Sequence, residues 1–158
     1  MSINVGEAIP SGDLQENSPK TRHDPASIFS SGRHILFGVP GAFTPGCTMT
    51  HLPGYVSGYE DIIAKGVSSI NCIAVNDAFV MGAWGTAGGA DGKVRMLADP
   101  AGEYVTALGL DVQAAALGGK RSKRFSMLIE DGKVSVLNLE PDGFGLSCSL
   151  SNTLLEQL

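Results

Sequence analysis

Hydrophobic positions along the chain alternate between short continuous runs and runs spaced three or four residues apart. The continuous runs predict buried strands, and Pro40 ends the first of them. These runs cover 33–39, 69–75 and 96–98. Apolar residues at helical spacing predict a helix over 48–65, with Gly66 as the residue that terminates it. Pro53 lies inside that range, so we expect it either to kink the helix or to mark a later start.

The second half of the chain repeats this alternation and then changes. Asn76 and Asp77 supply caps for a helix that runs through Trp84. Further helices are predicted over 102–108 and 149–158. The apolar runs 125–129 and 134–138 flank Asp131-Gly132, which is a strong signal for a two-residue hairpin. Strands that alternate with helices and end in a hairpin predict a mixed α/β sheet, covered on its faces, in one domain over 1–158.

Composition narrows the class of protein. The 158 residues are 43% hydrophobic and 17% charged, which is typical of a globular core. The net charge of −5 argues against a broad nucleic-acid surface, so we expect no nucleic-acid partner. The basic run Lys120–Arg124 is the local exception, and such runs usually form a solvated face.

The termini and the cysteines bear on the compartment. The first ten residues lack the basic and apolar regions of a signal peptide, and no run approaches the roughly 18 apolar residues of a membrane span. Three scattered cysteines are too few for a disulfide scaffold, so an intracellular protein with reduced thiols is the default. We expect a cytoplasmic protein, with a mitochondrial or peroxisomal location left open. The terminal Glu156-Gln157-Leu158 is only weakly similar to the Ser-Lys-Leu signal of peroxisomal proteins.

Cys47 lies where a helix should begin. Thr44 is a good N-cap, Pro45 is favoured at the first helical position, and Cys47 then falls at the third. Amide groups there have no partner within the helix and carry the positive end of its dipole. Both effects favour thiolate over thiol, and the same N–H groups can bind an oxygen atom of whatever the sulfur attacks.

His51 lies four residues after Cys47 and leaves three interpretations open: one half of a zinc site, the base of a catalytic dyad, or a histidine that packs and bonds locally. The third is the most common. If no base is needed, the substrate must carry an easily broken bond such as the O–O bond of a peroxide. That reaction needs a fixed cation beside the sulfur, a role that suits arginine.

Several ordered motifs resemble one family. Pro40 to Cys47 fits the P-x-x-x-T-x-x-C signature of peroxiredoxins. Further matching blocks lie at 47–55, 76–80, 97–100, 123–127 and 140–143. Over nearly the whole chain these blocks resemble the peroxiredoxin-5 branch, the atypical two-cysteine type.

The resemblance implies a thioredoxin-like fold and a set of roles. Cys47 would be the peroxidatic cysteine, and Thr44 would orient the peroxide through its hydroxyl. The N–H groups of Gly46 and Cys47 would stabilise the oxygens, and Pro40 would shield the pocket. Arg124 corresponds to the catalytic arginine of the family, so the basic run has one functional member. No cofactor and no metal are implied.

The other two cysteines are expected to differ from each other. Cys72 lies in an apolar strand, where a core role is expected. Cys148 lies in a glycine-rich loop that we expect to be exposed, and its surroundings resemble the segment of the resolving cysteine in animal peroxiredoxin-5 proteins. The resemblance implies that Cys47 sulfenic acid condenses with Cys148 and that thioredoxin reduces the disulfide. A one-cysteine cycle recharged by glutathione or glutaredoxin, or a redox sensor, remains the alternative.

Further expectations follow from the resemblance. The segment 114–119 is smaller and less aromatic than expected for the family's active-site wall, which leaves the substrate preference open. The chain lacks the Gly-Gly-Leu-Gly and terminal Tyr-Phe elements of overoxidation-sensitive relatives, so relative resistance is expected. A noncovalent homodimer is implied, through the region of Phe43, Phe79 and Trp84.

Overall fold

The computed structural model describes residues 1–158 as a seven-stranded sheet, a separate two-stranded hairpin and short helices. The large sheet contains β1 (Leu14–Glu16), β2 (Ser18–His23), β3 (Arg33–Gly38), β4 (Ser69–Ala74), β5 (Val94–Ala98), β8 (Phe125–Glu130) and β9 (Lys133–Leu139). The hairpin is β6 (Asp111–Ala114) and β7 (Gly119–Ser122). The helices are α1 (Pro25–Ile28), α2 (Leu52–Ser57), α3 (Tyr59–Ala64), α4 (Ala78–Ala87), α5 (Glu103–Ala107) and α6 (Ser151–Glu156), with a π-helical turn at Cys47–His51 and a 3₁₀ turn at Ala115–Leu117.

The strand order of the large sheet is β2-β1-β5-β4-β3-β8-β9. The three central strands β5, β4 and β3 are parallel, and the strands on either side of them are antiparallel. Both faces are covered: alternate residues of β3 enter two separate apolar clusters, with Phe37 in one and Leu36 in the other. This burial on both faces explains why the central strands read as continuous apolar runs. The predicted mixed sheet is confirmed.

The prediction of one helix over 48–65 is wrong in detail, because the segment is broken twice. Pro53 has no N–H and cannot donate to the carbonyl four residues earlier, and just before it the backbone forms a π-helical turn in which Leu52 N–H donates to the Cys47 carbonyl. Gly58 then separates α2 from α3. Gly66 adopts φ +88° after the last turn, as predicted for a terminating glycine.

Other local predictions are confirmed with shifted ends. Asp131 and Gly132 have φ of 49° and 81° and connect β8 to β9 as the expected hairpin. The Asp77 carboxylate accepts from Val80 N–H at 2.8 Å and begins α4. The strands β1 and β2 and the β6–β7 hairpin were not predicted, because their residues are largely polar or exposed. None of the helices has the length and hydropathy that a membrane crossing requires.

Candidate active site

Cys47 lies in the first turn of the helix that follows β3, and its side chain is fully buried. Pro45 begins this turn, so Cys47 occupies the predicted third helical position. The N–H groups of Gly46 and Cys47 have no acceptor within the chain. The predicted N-cap bond is absent: the Thr44 hydroxyl accepts from neither group, and it donates to the Gly41 carbonyl at 2.6 Å. The helix start therefore leaves two N–H donors without an acceptor in the chain, at Cys47 and at the residue before it.

Arg124 supplies a fixed cation at this thiol. It lies immediately before β8, is 4% exposed, and its Nη2 donates to Cys47 Sγ at 3.3 Å. Its Nη1 donates to His51 Nδ1 at 2.9 Å, and its Nε donates to the Phe144 carbonyl at 3.2 Å. Each of the three guanidinium nitrogens has an acceptor, and this holds the planar group in one orientation. The predicted pairing of Cys47 with Arg124 is thus present in the structure.

His51 orients this arginine and is fully buried. Because Nδ1 accepts from Arg124, the ring proton is assigned to Nε2, which donates to the Ser149 carbonyl at 3.0 Å. Burial, and then the Arg124 charge, lower the pKa of His51 to about 3. The catalytic-dyad interpretation is therefore wrong, since Nδ1 is already occupied and Nε2 carries the proton. Local bonding, the third interpretation, describes this residue.

Pro40 and Gly46 are the remaining predicted site residues. Pro40 is buried where β3 ends. A methyl group placed on Gly46 would lie 3.1 Å from Arg124 Nη2 and 3.6 Å from Leu146 Cδ1, so only glycine leaves the guanidinium its present position without adjustment. No group of three or more side chains that could hold a metal ion is present.

Arg121, which was expected on a solvated face, contacts the segment at the end of β3. Its Nη2 donates to the Leu117 carbonyl at 2.7 Å, and its Nη1 lies 3.4 Å from the Pro40 carbonyl. The side chain is half-buried and connects the 3₁₀ turn before β7 to the end of β3. No local pattern in the sequence distinguished Arg121 from its charged neighbours, because β7 itself was not predicted.

Cys148 is reduced and half-buried, and it is less exposed than the loop prediction implied. Its Sγ donates to the Leu139 carbonyl at 3.5 Å, whereas Cys47 Sγ faces Arg124, so the two sulfurs have different partners. Burial and then the Glu140 carboxylate raise the pKa of the Cys148 thiol. Cys148 is therefore a neutral thiol, and it makes no hydrogen bond to Arg124.

Cys72 lies in the core, as predicted. Its side chain is fully buried in β4, and burial, followed by the neighbouring Cys47, raises the pKa of its thiol well above the ordinary value. Trp84 is also buried, and its Nε1 donates to Thr48 Oγ1 at 3.0 Å. Trp84 is thus unavailable for the surface contact expected of it, whereas Phe43 remains exposed.

A buried thiol at a helix start, beside an arginine and at the end of a central strand of a mixed sheet, defines a thioredoxin-like redox protein. The Redoxin family model matches residues 4–152. Peroxiredoxin-2B of Arabidopsis thaliana is 43% identical over 145 residues, covering 89% of this chain and 90% of that protein. The chain belongs to the peroxiredoxins, which are thiol-dependent peroxidases.

Solved structures agree with this assignment. Reduced Prx3 from Vibrio vulnificus in complex with hydrogen peroxide has 39% identity and a TM-score of 0.92, over 98% of each chain. Peroxiredoxin 5 from Alvinella pompejana has 42% identity and a TM-score of 0.84, also over 98% of each chain. The thioredoxin-like fold is confirmed, and the second structure supports the peroxiredoxin-5 branch.

Proposed function

We propose that this peroxidase reduces hydrogen peroxide and small alkyl hydroperoxides through Cys47, with peroxynitrite as a further substrate. The observation that carries the proposal is the contact of 3.3 Å between Arg124 Nη2 and Cys47 Sγ beside the free N–H groups of the first helical turn. The cation and the donors stabilise the negative charge that develops on oxygen during the attack. The hydrogen peroxide bound in the Vibrio vulnificus structure supports the choice of substrate.

In the first step the Cys47 thiolate attacks the terminal oxygen of the hydroperoxide. The S–O bond forms as the O–O bond breaks, and the alkoxide that leaves takes a proton from solvent to become an alcohol, or water when the substrate is hydrogen peroxide. Cys47 is oxidised to the sulfenic acid and the peroxide is reduced. Arg124 and the N–H groups of Gly46 and Cys47 stabilise the oxygens, while Thr44 orients the peroxide and Pro40 limits access of water.

In the second step Cys148 resolves the sulfenic acid. The Cys148 sulfur attacks Cys47 Sγ, the S–S bond forms, the S–O bond breaks, and the hydroxyl leaves as water with the Cys148 proton. Because Cys148 Sγ now faces the Leu139 carbonyl, residues around Cys148 must leave their present positions first. A thioredoxin-type dithiol then reduces the disulfide by thiol–disulfide exchange.

One observation favours a second candidate cycle. The Cys148 backbone is hydrogen-bonded into the fold, so intramolecular resolution has to compete with small external thiols. A one-cysteine cycle, in which glutathione or glutaredoxin reduces Cys47 sulfenic acid, is the resulting alternative. A redox sensor that passes its oxidation to a partner protein would use the same first step without sustained turnover.

A turnover assay coupled to NADPH through thioredoxin and its reductase tests the proposal. We expect Cys47→Ser to abolish turnover. Cys148→Ser should retain the first oxidation of Cys47 and lose recycling by thioredoxin, and Cys72→Ser, which changes a core thiol, is the matched control that keeps the full cycle. Sustained thioredoxin-dependent turnover of Cys148→Ser, or oxidation of the wild type without turnover, would refute the two-cysteine cycle.

Assembly and location belong to the same proposal. Phe43 and Phe79 are 55% and 64% exposed, and we propose that they lie in a noncovalent homodimer interface. Sedimentation of the wild type and of Phe79→Glu tests this, with a monomeric wild type as the contradicting result. We also propose a cytoplasmic location, which cell fractionation tests.

A further inference from the structure

A buried carboxylate holds the segment that contains Cys148. Glu140 follows β9, is 1% exposed, and accepts five hydrogen bonds. Its Oε1 accepts from the N–H and the hydroxyl of Ser147 at 3.0 and 2.6 Å. Its Oε2 accepts from Cys148 N–H at 2.8 Å and from the N–H and the hydroxyl of Ser149 at 2.8 and 2.7 Å. One side chain thus binds three consecutive residues.

The charge on Glu140 is stabilised by these bonds. Burial alone would raise the pKa of this carboxyl, but the donors of Ser147, Ser149 and Cys148 outweigh it and hold the pKa well below its ordinary value. Hydrogen bonds to an ionised group are stronger than those between neutral groups. Glu140 is therefore ionised at neutral pH and forms the densest set of hydrogen bonds on this segment.

The same segment is connected to the active site on the other side. The Ser149 carbonyl accepts from His51 Nε2 and from the Tyr55 hydroxyl, both at 3.0 Å. His51 in turn contacts Arg124, which contacts Cys47. The Cys148 thiol makes a longer contact, of 3.5 Å, with the Leu139 carbonyl. The shorter hydrogen bonds that retain residues 147–149 are those of the backbone N–H groups and of the two serine hydroxyls.

We propose that Glu140 is a positioning residue that controls how readily residues 147–149 leave the fold, and thereby the rate at which Cys148 condenses with Cys47 sulfenic acid. The inference rests on the proposed role of Cys148 as the resolving thiol. In that step the S–S bond forms and the S–O bond breaks with loss of water, and Cys148 has to leave Leu139 before it can attack. Because its own N–H and both neighbouring N–H groups are bound to one carboxylate, their release requires the Glu140 bonds to break.

The substitution Glu140→Gln tests this with little change in shape. Glutamine keeps one carbonyl oxygen but replaces the other acceptor with an amino group that faces N–H donors. We expect amide hydrogen exchange at residues 147–149 of the reduced protein to rise at least tenfold. We also expect the rate of Cys47–Cys148 disulfide formation after one equivalent of peroxide to rise at least tenfold, measured by acid quench and mass spectrometry. Oxidation of Cys47 and its resolution are timed separately, so the effect on resolution is read alone.

Asp142→Asn is the matched control. Asp142 lies in the same loop, and its Oδ1 accepts from Phe144 N–H at 2.9 Å and Gly145 N–H at 2.8 Å, without contacting residues 147–149. We expect its exchange at 147–149 and its rate of disulfide formation to stay within twofold of the wild type. A general loosening of the loop would instead accelerate both quantities in this control as well, and that result would overturn a specific role for Glu140.

Ser147→Ala keeps the proposal testable if Glu140→Gln does not fold. Ser147 is exposed, and its substitution by alanine removes only the hydroxyl that donates to Glu140 at 2.6 Å. We therefore expect a smaller, roughly threefold, increase in amide exchange at residues 147–149 and in the rate of disulfide formation. The inference would be overturned if amide exchange at residues 147–149 were unchanged in these variants. It would also be overturned if exchange became faster while disulfide formation between Cys47 and Cys148 stayed the same or slowed. If the wild type forms no Cys47–Cys148 disulfide at all, the proposed function fails as well, and exchange at 147–149 still shows whether Glu140 retains the segment.

Discussion

Protonation of His51 would break the hydrogen bond through which this ring holds Arg124 in the active site. In the neutral ring Nδ1 accepts from Arg124 and Nε2 donates to the Ser149 carbonyl, so both nitrogens are used. A proton added at Nδ1 would replace the acceptor with a donor that faces the guanidinium. Burial and the arginine charge therefore lower the pKa of His51 from its ordinary value of 6.5 to about 3. The folded chain keeps this histidine neutral at pH 5.

The magnitude follows from the difference in proton binding. Between pH 7 and pH 5 the unfolded chain takes up about 0.7 proton at His51, whereas the folded chain takes up almost none. The folded state is thus disfavoured as the pH falls below 6.5, and the loss continues toward pH 3. Linkage gives a decrease of about 2 kcal/mol in the free energy of unfolding from pH 7 to pH 5 for this residue.

Urea unfolding of the wild type and of His51→Gln at both pH values measures this contribution. Glutamine can accept from Arg124 and donate to Ser149 but does not titrate, so it removes the proton uptake and keeps the hydrogen-bonding pattern. We expect the wild type to lose about 2 kcal/mol more than the variant between pH 7 and pH 5. Equal losses in the two proteins would refute the reasoning, because any group other than His51 titrates in both.

Other predictions concern the site and its supporting core. Arg124→Lys should slow oxidation of Cys47 by roughly 100-fold, because an ammonium group cannot make the three guanidinium contacts at once. Stopped-flow tryptophan fluorescence measures the rate of this oxidation. Lys123→Gln, a substitution at the neighbouring position, is the control. Gly38→Ala should destabilise the fold by about 1–3 kcal/mol, because its methyl group would overlap the buried Phe125 ring; an unchanged melting temperature would contradict this. Stepwise addition of excess peroxide should leave most of the enzyme active, and inactivation after a few equivalents would contradict the expected resistance to overoxidation.

The sequence predicted the parts of this fold that depend on neighbouring residues. The central strands, the hairpin at Asp131-Gly132 and the helix start before Cys47 each follow from a local pattern, and the structure confirms them. The π-helical turn was not predicted, although Pro53 indicated a defect. Whether a proline produces a kink, a new start or a wider turn depends on packing against the rest of the chain.

Side-chain contacts that depend on how loops and turns fold could not be read from the sequence. Glu140 appeared only as part of a matching motif, and nothing nearby shows that its carboxylate binds Ser147 and Ser149. Arg121 was assigned to solvent because charge runs usually lie there, whereas its Leu117 contact depends on the short hairpin between β6 and β7. The pairing of Arg124 with Cys47 was expected from family resemblance alone, since 77 positions separate the two residues.

The proposed two-cysteine cycle requires that Cys47 is oxidised first and that Cys148 resolves it within the same chain. Intact mass and non-reducing peptide maps of the wild type after one equivalent of hydrogen peroxide test it most directly. We expect loss of two hydrogens and a single linked peptide that joins Cys47 to Cys148. A persistent sulfenic acid, or a link from Cys47 to Cys72, would contradict it.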